Sequence, residues 1–517
     1  MLEGELKNNN ISQEPIKKGK RDFKVLFVYP NTNTEGCMPL GIAMLSAVLR
    51  REGYQTKVFD TTFYKKSTKS VKEIAEETLE FKKADMASRG VYLDDADPIE
   101  EFRDVLNSYN PNLICVSATS TLFAMAKSLL TSVHCRAPVI IGGPHATVAP
   151  ELIIKHDFID MLCVGEGELA LVELCNKLRN GQDIRNIKNL WVKEDGKIYR
   201  NSVRPLIENL DSLPFPDWEI FDDRHHFKPL VGDVYRYGQF EMSRGCPYSC
   251  TYCINRYLQR MYSGKGKYHR KKSNKRMIEE IKYFKKKYEL EMLKFWDETF
   301  MVGPKKEWAK FLKIYSEEIN LPFLIQTRAD VMDDEKAQML KEAGCVTVSI
   351  GIESGNQKIR NSLMDRHMTN ESIINAFRAF HKAGIRTSSF NMIGLPHETR
   401  EDIFETIALN KKVAPEACNI MFFYPFHGTE LRDICIKNGF IPEDNIEKEV
   451  NIHEDSILQM PQISINELKG IKKTFNLYVK APKLLYPLIR LVEGDSRVGG
   501  LIFRLLTRYY YIKSYGF

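Results

Sequence analysis

The sequence predicts an α/β protein with three parts: a doubly wound parallel sheet, a second run of six strand–helix units, and a helical C-terminal region. Two observations predict this organisation. Short apolar runs alternate with helix-length segments in residues 23–185, and the same alternation returns in residues 236–445. Such alternation is typical of parallel sheets whose strands are joined by helices. Residues 446–517 show helical patterns without strand-like runs.

The first sheet is predicted from five apolar runs, at residues 25–29, 56–59, 113–117, 138–143 and 160–165. A helix with Leu40, Met44 and Val48 on one face follows the first run and ends at Gly53, and a charged helical insertion precedes the third. Right-handed crossovers would bury both faces of this sheet. Ligands of such sheets bind beyond the carboxyl ends of the strands. Those ends lead here into residues 31–36, 117–120, 142–147 and 165–168.

Residues 186–235 are predicted to link the two α/β parts. Two strand-like runs flank Glu194-Asp195-Gly196 and predict a β-hairpin. Pro205, Pro214 and Pro216 follow and disfavour helix. We therefore expect a semi-rigid strap between the parts.

The second part has six predicted strands, at residues 238–242, 293–296, 321–325, 346–350, 387–393 and 419–423. Helices such as residues 277–288 and 373–383 fill the gaps. Each strand runs into a polar cluster: a cysteine loop after the first, then residues 297–299, 326–328, 351–354, 394–398 and 424–429. Because reactive groups of βα folds lie at the carboxyl ends of the strands, these clusters form the predicted site.

The cysteine loop carries the strongest chemical signal. Cys246, Cys250 and Cys253 have CxxxCxxC spacing, which brings three thiolates to one side of a tight loop. Three thiolates can hold three irons of a cubane cluster and leave the fourth iron open. A zinc site would usually need a further ligand pair, but the next cysteine is Cys345. A disulfide framework is the third alternative, and eleven cysteines spread over 517 residues argue against it.

Composition narrows the class of protein. A net charge of +7 on 517 residues is too dilute to predict nucleic-acid binding. The basic stretch 265–276 is interpreted as a solvated face, with a phosphate or cofactor-carboxylate contact as the alternative. No segment has the apolar length of a transmembrane helix or a signal peptide, so we expect a cytoplasmic protein. Residues 1–22 are a predicted disordered tail.

The basic, aromatic C-terminal region, residues 446–517, is expected to close the open side of the second α/β part. Peripheral membrane contact by its amphipathic end is the alternative.

The cysteine loop resembles the signature of the radical S-adenosylmethionine (SAM) superfamily. Three strand-end pieces, Pro39-Leu40-Gly41, residues 142–147 and residues 164–168, resemble the cobalamin-binding domain of one of its subgroups. The resemblance implies that residues 236–445 form a partial (β/α)6 TIM-type barrel and residues 23–185 a Rossmann-like cobalamin domain. It implies three cofactors: a 4Fe-4S cluster, SAM and cobalamin. The cysteines would be the metal ligands and the catalytic centre.

The chemistry of SAM assigns further residues. Its amine needs acids, its carboxylate a guanidinium and its ribose diol an acceptor. Asp297 and Glu298 suit the amine, Arg328 the carboxylate and Glu353 the ribose. The resemblance adds Tyr252, Gly394 and Pro396 at the adenine. The structural alternatives are helix capping by the two acids, pairing of Arg328 with Asp330, and a role for Glu353 as a structural acceptor.

Cobalamin contacts are expected at the strand ends of the first sheet: Ser117, Thr119, Gly142, Gly143, His145, Gly165, Glu166 and Gly167. The Asp-x-His-x-x-Gly motif that supplies a lower imidazole ligand in other cobalamin proteins is missing after the first strand, and Asp223-Arg224-His225 lacks its glycine. We therefore expect cobalt without a protein histidine. His145 is more simply interpreted as a loop residue.

The function implied by the resemblance is methyl transfer to an unactivated carbon, through a 5′-deoxyadenosyl radical and methylcobalamin. A cyclisation or rearrangement without methyl transfer is the alternative within the subgroup. A cobalamin or iron–sulfur sensor without turnover is the alternative from another class. Expected partners are a small-molecule or natural-product substrate and an external one-electron reductant of the flavodoxin or ferredoxin type.

Overall fold

The computed structural model describes residues 22–31, 38–65, 71–442, 454–494 and 496–515. The strands in these ranges are β1 (Lys24–Tyr29), β2 (Gln55–Asp60), β3 (Leu113–Ser117), β4 (Val139–Gly142), β5 (Met161–Cys163), β6 (Leu190–Glu194), β7 (Lys197–Arg200), β8 (Phe227–Leu230), β9 (Asp233–Phe240), β10 (Ser243–Arg244), β11 (Arg270–Lys271), β12 (Met292–Phe295), β13 (Phe323–Thr327), β14 (Cys345–Glu353), β15 (Arg386–Ile393) and β16 (Ala417–Phe422).

The α-helices are α1 (Leu40–Arg51), α2 (Val71–Glu77), α3 (Pro98–Tyr109), α4 (Phe123–Ser132), α5 (Pro144–Val148), α6 (Pro150–Ile153), α7 (Glu168–Arg179), α8 (Ile254–Met261), α9 (Asn274–Tyr288), α10 (Lys305–Glu318), α11 (Asp334–Glu342), α12 (Asn370–Lys382), α13 (Arg400–Val413), α14 (Glu430–Lys437), α15 (Ile465–Lys480), α16 (Tyr486–Leu491) and α17 (Arg497–Tyr515).

The first sheet confirms the predicted doubly wound fold. Its strands lie in the order β2-β1-β3-β4-β5 and pair in parallel, each predicted run giving one strand. Along β1, Val25 and Phe27 pack with α1 and α7, whereas Leu26 and Val28 pack with α3 and α4. Both faces are therefore buried, as parallel sheets require.

The predicted hairpin forms, but it does not belong to the connector. β6 and β7 pair antiparallel with each other, and β6 pairs antiparallel with β5. The hairpin thus extends the first sheet to seven strands within the described residues. The apolar residues of the hairpin explain why it joins the first sheet: Leu190 and Val192 are buried in the core of that sheet, whereas a free linker would leave them exposed.

The second sheet contains the six predicted strands, all parallel, in the order β16-β15-β14-β13-β12-β9. β8 adds an antiparallel strand at the β9 edge. Helices α9 to α13 follow the strands as in βα units. The predicted fold class, a parallel sheet followed by a partial barrel and C-terminal helices, is confirmed.

Two outside segments reach the open edge of the barrel at β16. Leu468, Ile471 and Phe475 of α15 share a core with strands β15 and β16, so the C-terminal region lies against this edge as predicted. Asn476 donates hydrogen bonds to Thr78 O (3.0 Å) and Cys418 O (3.2 Å), which joins the first part's insertion to the same edge. That contact between distant segments was not predicted.

Some expectations lie outside the described residues. These are the tail, apart from residue 22, and residues 32–36 of the first strand-end loop. None of the helices in the described ranges is long and apolar enough to cross a bilayer. Peripheral membrane contact stays a prediction, and α17 does expose Val498, Leu501, Leu505 and Tyr509 along one face.

Candidate functional site

The three cysteines line one cavity of about 190 Å³ at the carboxyl end of the barrel. Their loop follows β9 and β10 and leads into α8, and Cys246 and Cys250 are buried. Burial raises the pKa of the Cys246 thiol and raises that of Cys253 to about 12. Within the described ranges, no three side chains converge on a single metal ion. A cubane cluster needs separated thiolates, one for each of three irons, and this donor set fits such a cluster.

Two arginines approach Cys250. Arg328 Nη1 lies 3.6 Å from Cys250 Sγ, and its guanidinium stacks 3.7 Å from the centre of the Tyr248 ring. Arg328 also forms a two-pronged bond with Asp330, the structural partner considered above. Arg366 Nη1 lies 4.0 Å from Cys250 Sγ. The wall of the cavity beside this cysteine is therefore cationic, which suits a carboxylate ligand.

Glu353, Tyr252 and Arg366 form a network at the end of β14. Tyr252 Oη donates to Glu353 Oε1 over 3.4 Å, and Arg366 Nη2 lies 3.8 Å from the same oxygen. Arg366 also donates to Gly351 O over 2.8 Å. Burial raises the pKa of Glu353 despite the cation. Glu353 has a positive φ of 65°, a conformation that is uncommon for residues other than glycine.

The two acids after β12 have different positions. Asp297 is 1% exposed and lies outside the cavity lining: it accepts hydrogen bonds from Met242 N (3.2 Å) and Ser243 Oγ. Burial raises its pKa to about 6. Glu298 does line the cavity, and Asn255 Nδ2 donates to it over 3.1 Å. Glu298 therefore has the position expected of a ligand contact, whereas Asp297 ties β12 to the cysteine loop.

The loop after β15 is held by a buried carboxyl group. Gly394 and Pro396 are buried here and lie outside the described lining of the cysteine cavity, and Gly394 lies beside Leu468 of α15. Glu398 Oε2 accepts hydrogen bonds from Gly394 N (2.6 Å) and Leu395 N (3.1 Å). Burial raises the pKa of Glu398 to about 8. Glu398 thus fixes the backbone of this predicted adenine-binding loop.

A second cavity, of about 420 Å³, lies between the first sheet and the barrel. Most of the predicted strand-end residues line it: Ser117, Gly142, Gly143, Gly165, Glu166 and Gly167. Leu258, Tyr262 and Arg270 line it from the barrel side. The cavity has the position where doubly wound sheets bind their ligands, and its glycines let a planar group approach the backbone. This lining fits part of a corrin.

Thr119 and His145 lie away from that lining. Thr119 Oγ1 is 3.1 Å from Thr121 Oγ1, and His145 Nδ1 is 2.9 Å from Ser120 Oγ. His145 is buried against Phe123, and its ring centre lies 5.7 Å from that of His427. These contacts match the interpretation of His145 as a loop residue.

The two parts are joined by buried ion pairs at this cavity. Arg270 donates to Glu166 Oε1 (2.6 Å) and Oε2 (3.2 Å), and Arg244 donates to Glu168 Oε1 (2.6 Å). The interpretation of residues 265–276 as a solvated face is wrong for Arg270 and for Lys272, which are 5–6% exposed. Charge alone did not reveal their partners, which are Glu166 of the first part for Arg270 and Glu280 of α9 for Lys272.

Two stretches of the chain match known families. Residues 240–409 match the Radical SAM superfamily, and residues 34–175 match the B12 binding domain. The chain is a radical SAM enzyme with a B12-binding domain.

Relatives of this radical SAM enzyme include an uncharacterised methyltransferase of Pyrococcus horikoshii, 28% identical over 480 residues that cover 90% of this chain and 94% of that protein. An anaerobic magnesium-protoporphyrin IX monomethyl ester cyclase of Rubrivivax gelatinosus is 23% identical over 426 residues, 79% of this chain and 69% of that protein.

A solved structure of the radical SAM methyltransferase TsrM from Kitasatospora setae, with cobalamin and a 4Fe-4S cluster bound, superposes with a TM-score of 0.62 at 17% identity. The superposition covers 80% of this chain and 78% of that one. The likeness shows that the two share a fold.

Several residues of the radical SAM enzyme's cavities were not predicted from the sequence. Arg366 follows β14 by thirteen residues, and no periodic pattern points to it. The place of Asn255 beside the cysteines could have been predicted, because it stands two residues after the last of them. Its Nδ2 lies 3.4 Å from Cys253 Sγ. Tyr262, the residue directly after α8, carries no such signal: its hydroxyl accepts a hydrogen bond from Glu166 N across the interface.

Proposed function

We propose that this radical SAM enzyme is a cobalamin-dependent methyltransferase that methylates an unactivated carbon of a small-molecule substrate. One observation carries the proposal: the cysteine cavity and the interdomain cavity adjoin. Asn255 and Glu298 line both of them. A group held at the strand ends of the first sheet would therefore lie next to a group held by the cysteines.

When bound, the cluster, SAM and cobalamin together supply radical generation and methyl transfer, and the protein supplies position and shielding from water. Cys246, Cys250 and Cys253 would hold the cluster. Arg328 and Glu298 would hold the carboxylate and amine of SAM.

Glu353 and Tyr252 are suited to the ribose and adenine, and Gly394 and Pro396 would support the adenine from the loop after β15. Ser117, Gly142, Gly143, Gly165 and Gly167 would hold cobalamin through close backbone approach. Glu166 is already paired with Arg270, so its role would be to fix the two parts in register.

A cyclisation is the second candidate, and the cyclase relative is the observation that favours it. The two candidates share the radical step and differ in whether a methyl group reaches the product. We also propose that the enzyme works in the cytoplasm with an external one-electron reductant of the flavodoxin or ferredoxin type.

The radical step is tested with anaerobically reconstituted enzyme, SAM and dithionite. We expect release of 5′-deoxyadenosine, and we expect Cys250→Ala to abolish it because one iron loses its protein ligand. Cys435→Ala is the matched control, because it removes a buried thiol on α14 that lies outside the cavity lining. Undiminished release from Cys250→Ala would overturn the cluster assignment.

A further inference from the structure

The helix α17 has two faces with opposite surroundings. Phe503, Leu506 and Tyr510 pack into the core that α15 shares with the barrel edge, and Tyr510 is 3% exposed. On the other face, apolar residues recur at intervals of three or four, which is the spacing of one helix face. These residues are Val498, Leu501, Leu505 and Tyr509, each between 54% and 70% exposed. One face therefore holds the helix in place, and the other leaves an apolar stripe in solvent.

The exposed apolar surface continues beyond α17. A Cβ on Gly499 would lie 3.1 Å from Leu491 O, so the end of α16 lies against the start of α17. Leu491 itself is 67% exposed. Single exposed apolar residues are normal on proteins, whereas a contiguous row of them marks an interaction surface. Along α17 alone, the stripe from Val498 to Tyr509 is about 17 Å long.

Cations border this stripe. Arg497, Arg504 and Arg508 recur at intervals of seven and four residues and form one row beside it, and the helical repeat places Lys513 on its other side. All four are exposed, and none of them forms an ion pair within the described ranges. Residues 497–515 contain no Asp or Glu. The outer face of α17 is thus apolar along its middle and positively charged along its flanks.

A distant segment adds a cation near the end of the helix. The backbone N of Lys83 donates to Tyr511 Oη over 3.1 Å, and Lys83 is exposed. Lys83 belongs to the insertion of the first part. Positive charge therefore accompanies the stripe over the whole length of α17.

The charge pattern distinguishes the occupants that could cover such a face. A second copy of the same face would set cations against cations, and this repulsion disfavours self-association. A protein partner would need an apolar groove with acids on both rims. An anionic lipid bilayer has both features everywhere on its surface, because negative headgroups lie above an apolar interior.

We propose that α17 docks this enzyme on the surface of an anionic lipid bilayer. The helix lies in the plane of the headgroups, the apolar stripe enters the boundary with the acyl chains, and the flanking arginines pair with lipid phosphates. This contact is peripheral, since the helix lies on the bilayer and does not cross it. The docking face lies outside the linings of the cysteine cavity and the interdomain cavity, so the inference goes beyond the proposed function.

Flotation of the full chain, loaded with its cluster, with lipid vesicles tests the proposal. Vesicles of phosphatidylcholine alone are compared with vesicles of phosphatidylcholine and phosphatidylglycerol in equal amounts. We expect binding to the anionic vesicles to be at least about tenfold tighter, since each cation near an anionic surface strengthens binding about fivefold. Raising the salt from about 0.1 M to about 1 M should reduce this difference, because the screening length falls from about 10 Å to about 3 Å.

Two matched pairs of variants locate the docking face. Leu505→Glu is expected to weaken binding to the anionic vesicles about tenfold or more, because it removes an inserted side chain and adds a repelled charge. Leu169→Glu makes the same change at an exposed leucine of α7 and should leave binding unchanged. Arg504→Gln/Arg508→Gln should also weaken binding about tenfold or more. Its control, Lys310→Gln/Arg378→Gln, removes equal charge from exposed residues of α10 and α12.

Leu505 and the two arginines face solvent, so we expect all variants to fold, which circular dichroism checks. If Leu505→Glu does not fold, the arginine pair decides the outcome. No binding to the anionic vesicles, equal binding to both kinds of vesicle, or equal losses in a variant and its control would overturn the proposal.

Sedimentation of the lipid-free enzyme examines the second copy as the occupant. We expect Leu505→Glu to leave the oligomeric state unchanged. A dimer that Leu505→Glu dissociates, together with no binding to vesicles, would assign the face to self-association and overturn the proposal. None of these measurements depends on turnover, so their results stand apart from the test of the proposed function.

Discussion

The carboxyl end of the first sheet lines the interdomain cavity and that of the barrel lines the adjoining cysteine cavity, and the two ends offer different chemistry. The first sheet presents glycines, such as Gly143 and Gly165, and hence bare backbone. The barrel presents thiols and buried charges, such as Cys250, Arg366 and Glu353. A planar guest needs close approach, whereas a cluster and a charged guest need ligands and counter-ions.

The contrast predicts opposite mutational behaviour. On the barrel side, removing a side chain should destabilise the protein, because charges and hydrogen bonds of the side chains hold the site together. On the side of the first sheet, adding a side chain to a glycine should destabilise the protein, because neighbouring atoms already occupy the space beside its Cα. Each of the following experiments could break that contrast.

The largest effect is expected in the pH dependence of stability, through Glu398. Its pKa rises from the ordinary 4.5 to about 8 on folding, so the folded state keeps a proton that the unfolded state loses. Stability should therefore fall as pH rises from about 4.5 to about 8, by at most about 1.4 kcal/mol per pH unit. Glu398→Gln keeps an acceptor for Gly394 N and Leu395 N and should remove this slope.

Urea unfolding at several pH values measures that slope. The exposed Glu401→Gln is the control and should retain it. Identical slopes in Glu398→Gln and the unmodified enzyme would contradict the assignment of a protonated carboxyl group to this loop.

Arg366→Ala should have the next largest effect. It leaves Glu353 buried without its cation and removes the bond to Gly351 O, so we expect a loss of about 3 kcal/mol in the free energy of unfolding. Arg378→Ala, on the exposed face of α12, should change it by less than about 0.5 kcal/mol. Comparable losses in the two variants would show that the barrel side does not depend on buried charge.

Gly165→Ala tests the first sheet. The new Cβ would lie 2.0 Å from Tyr262 Oη, and φ is +84°. Gly181→Ala is the matched control: φ is +61°, but nothing lies within 4 Å of its Cβ. We expect about 2 kcal/mol of destabilisation for Gly165→Ala and about 1 kcal/mol for Gly181→Ala in urea unfolding. Equal values would mean that Tyr262 does not fill this space.

Much of the fold could be predicted because strand-forming runs are local. Each of the eleven parallel strands in the described part of the chain follows from an apolar run of the right length, such as Leu113–Ser117. The hairpin Leu190–Arg200 was predicted but placed in the wrong unit, since pairing of β6 with β5 is decided by a tertiary contact. The contact of Asn476 with Thr78 joins residues 398 positions apart, which no local pattern encodes.

The site could be predicted in part for the same reason. Cys246, Cys250, Cys253 and Glu298 lie immediately after strands or in one loop, so position and chemistry together identify them. Asp297 has the same signal but turns toward Met242 and Ser243. Arg366 reaches Cys250 from 116 residues away, and Tyr262 reaches Glu166 across the interface, so both needed the structure.

The central claim is that the interdomain cavity and the cysteine cavity serve one methyl transfer. Enzyme loaded with cobalamin and incubated with methyl-deuterated SAM tests it most directly, with mass spectrometry of the bound cobalamin. The account predicts that the labelled methyl group appears on cobalamin and is then carried to a product. Release of 5′-deoxyadenosine with cobalamin that never gains the label would contradict methyl transfer and favour the cyclase alternative.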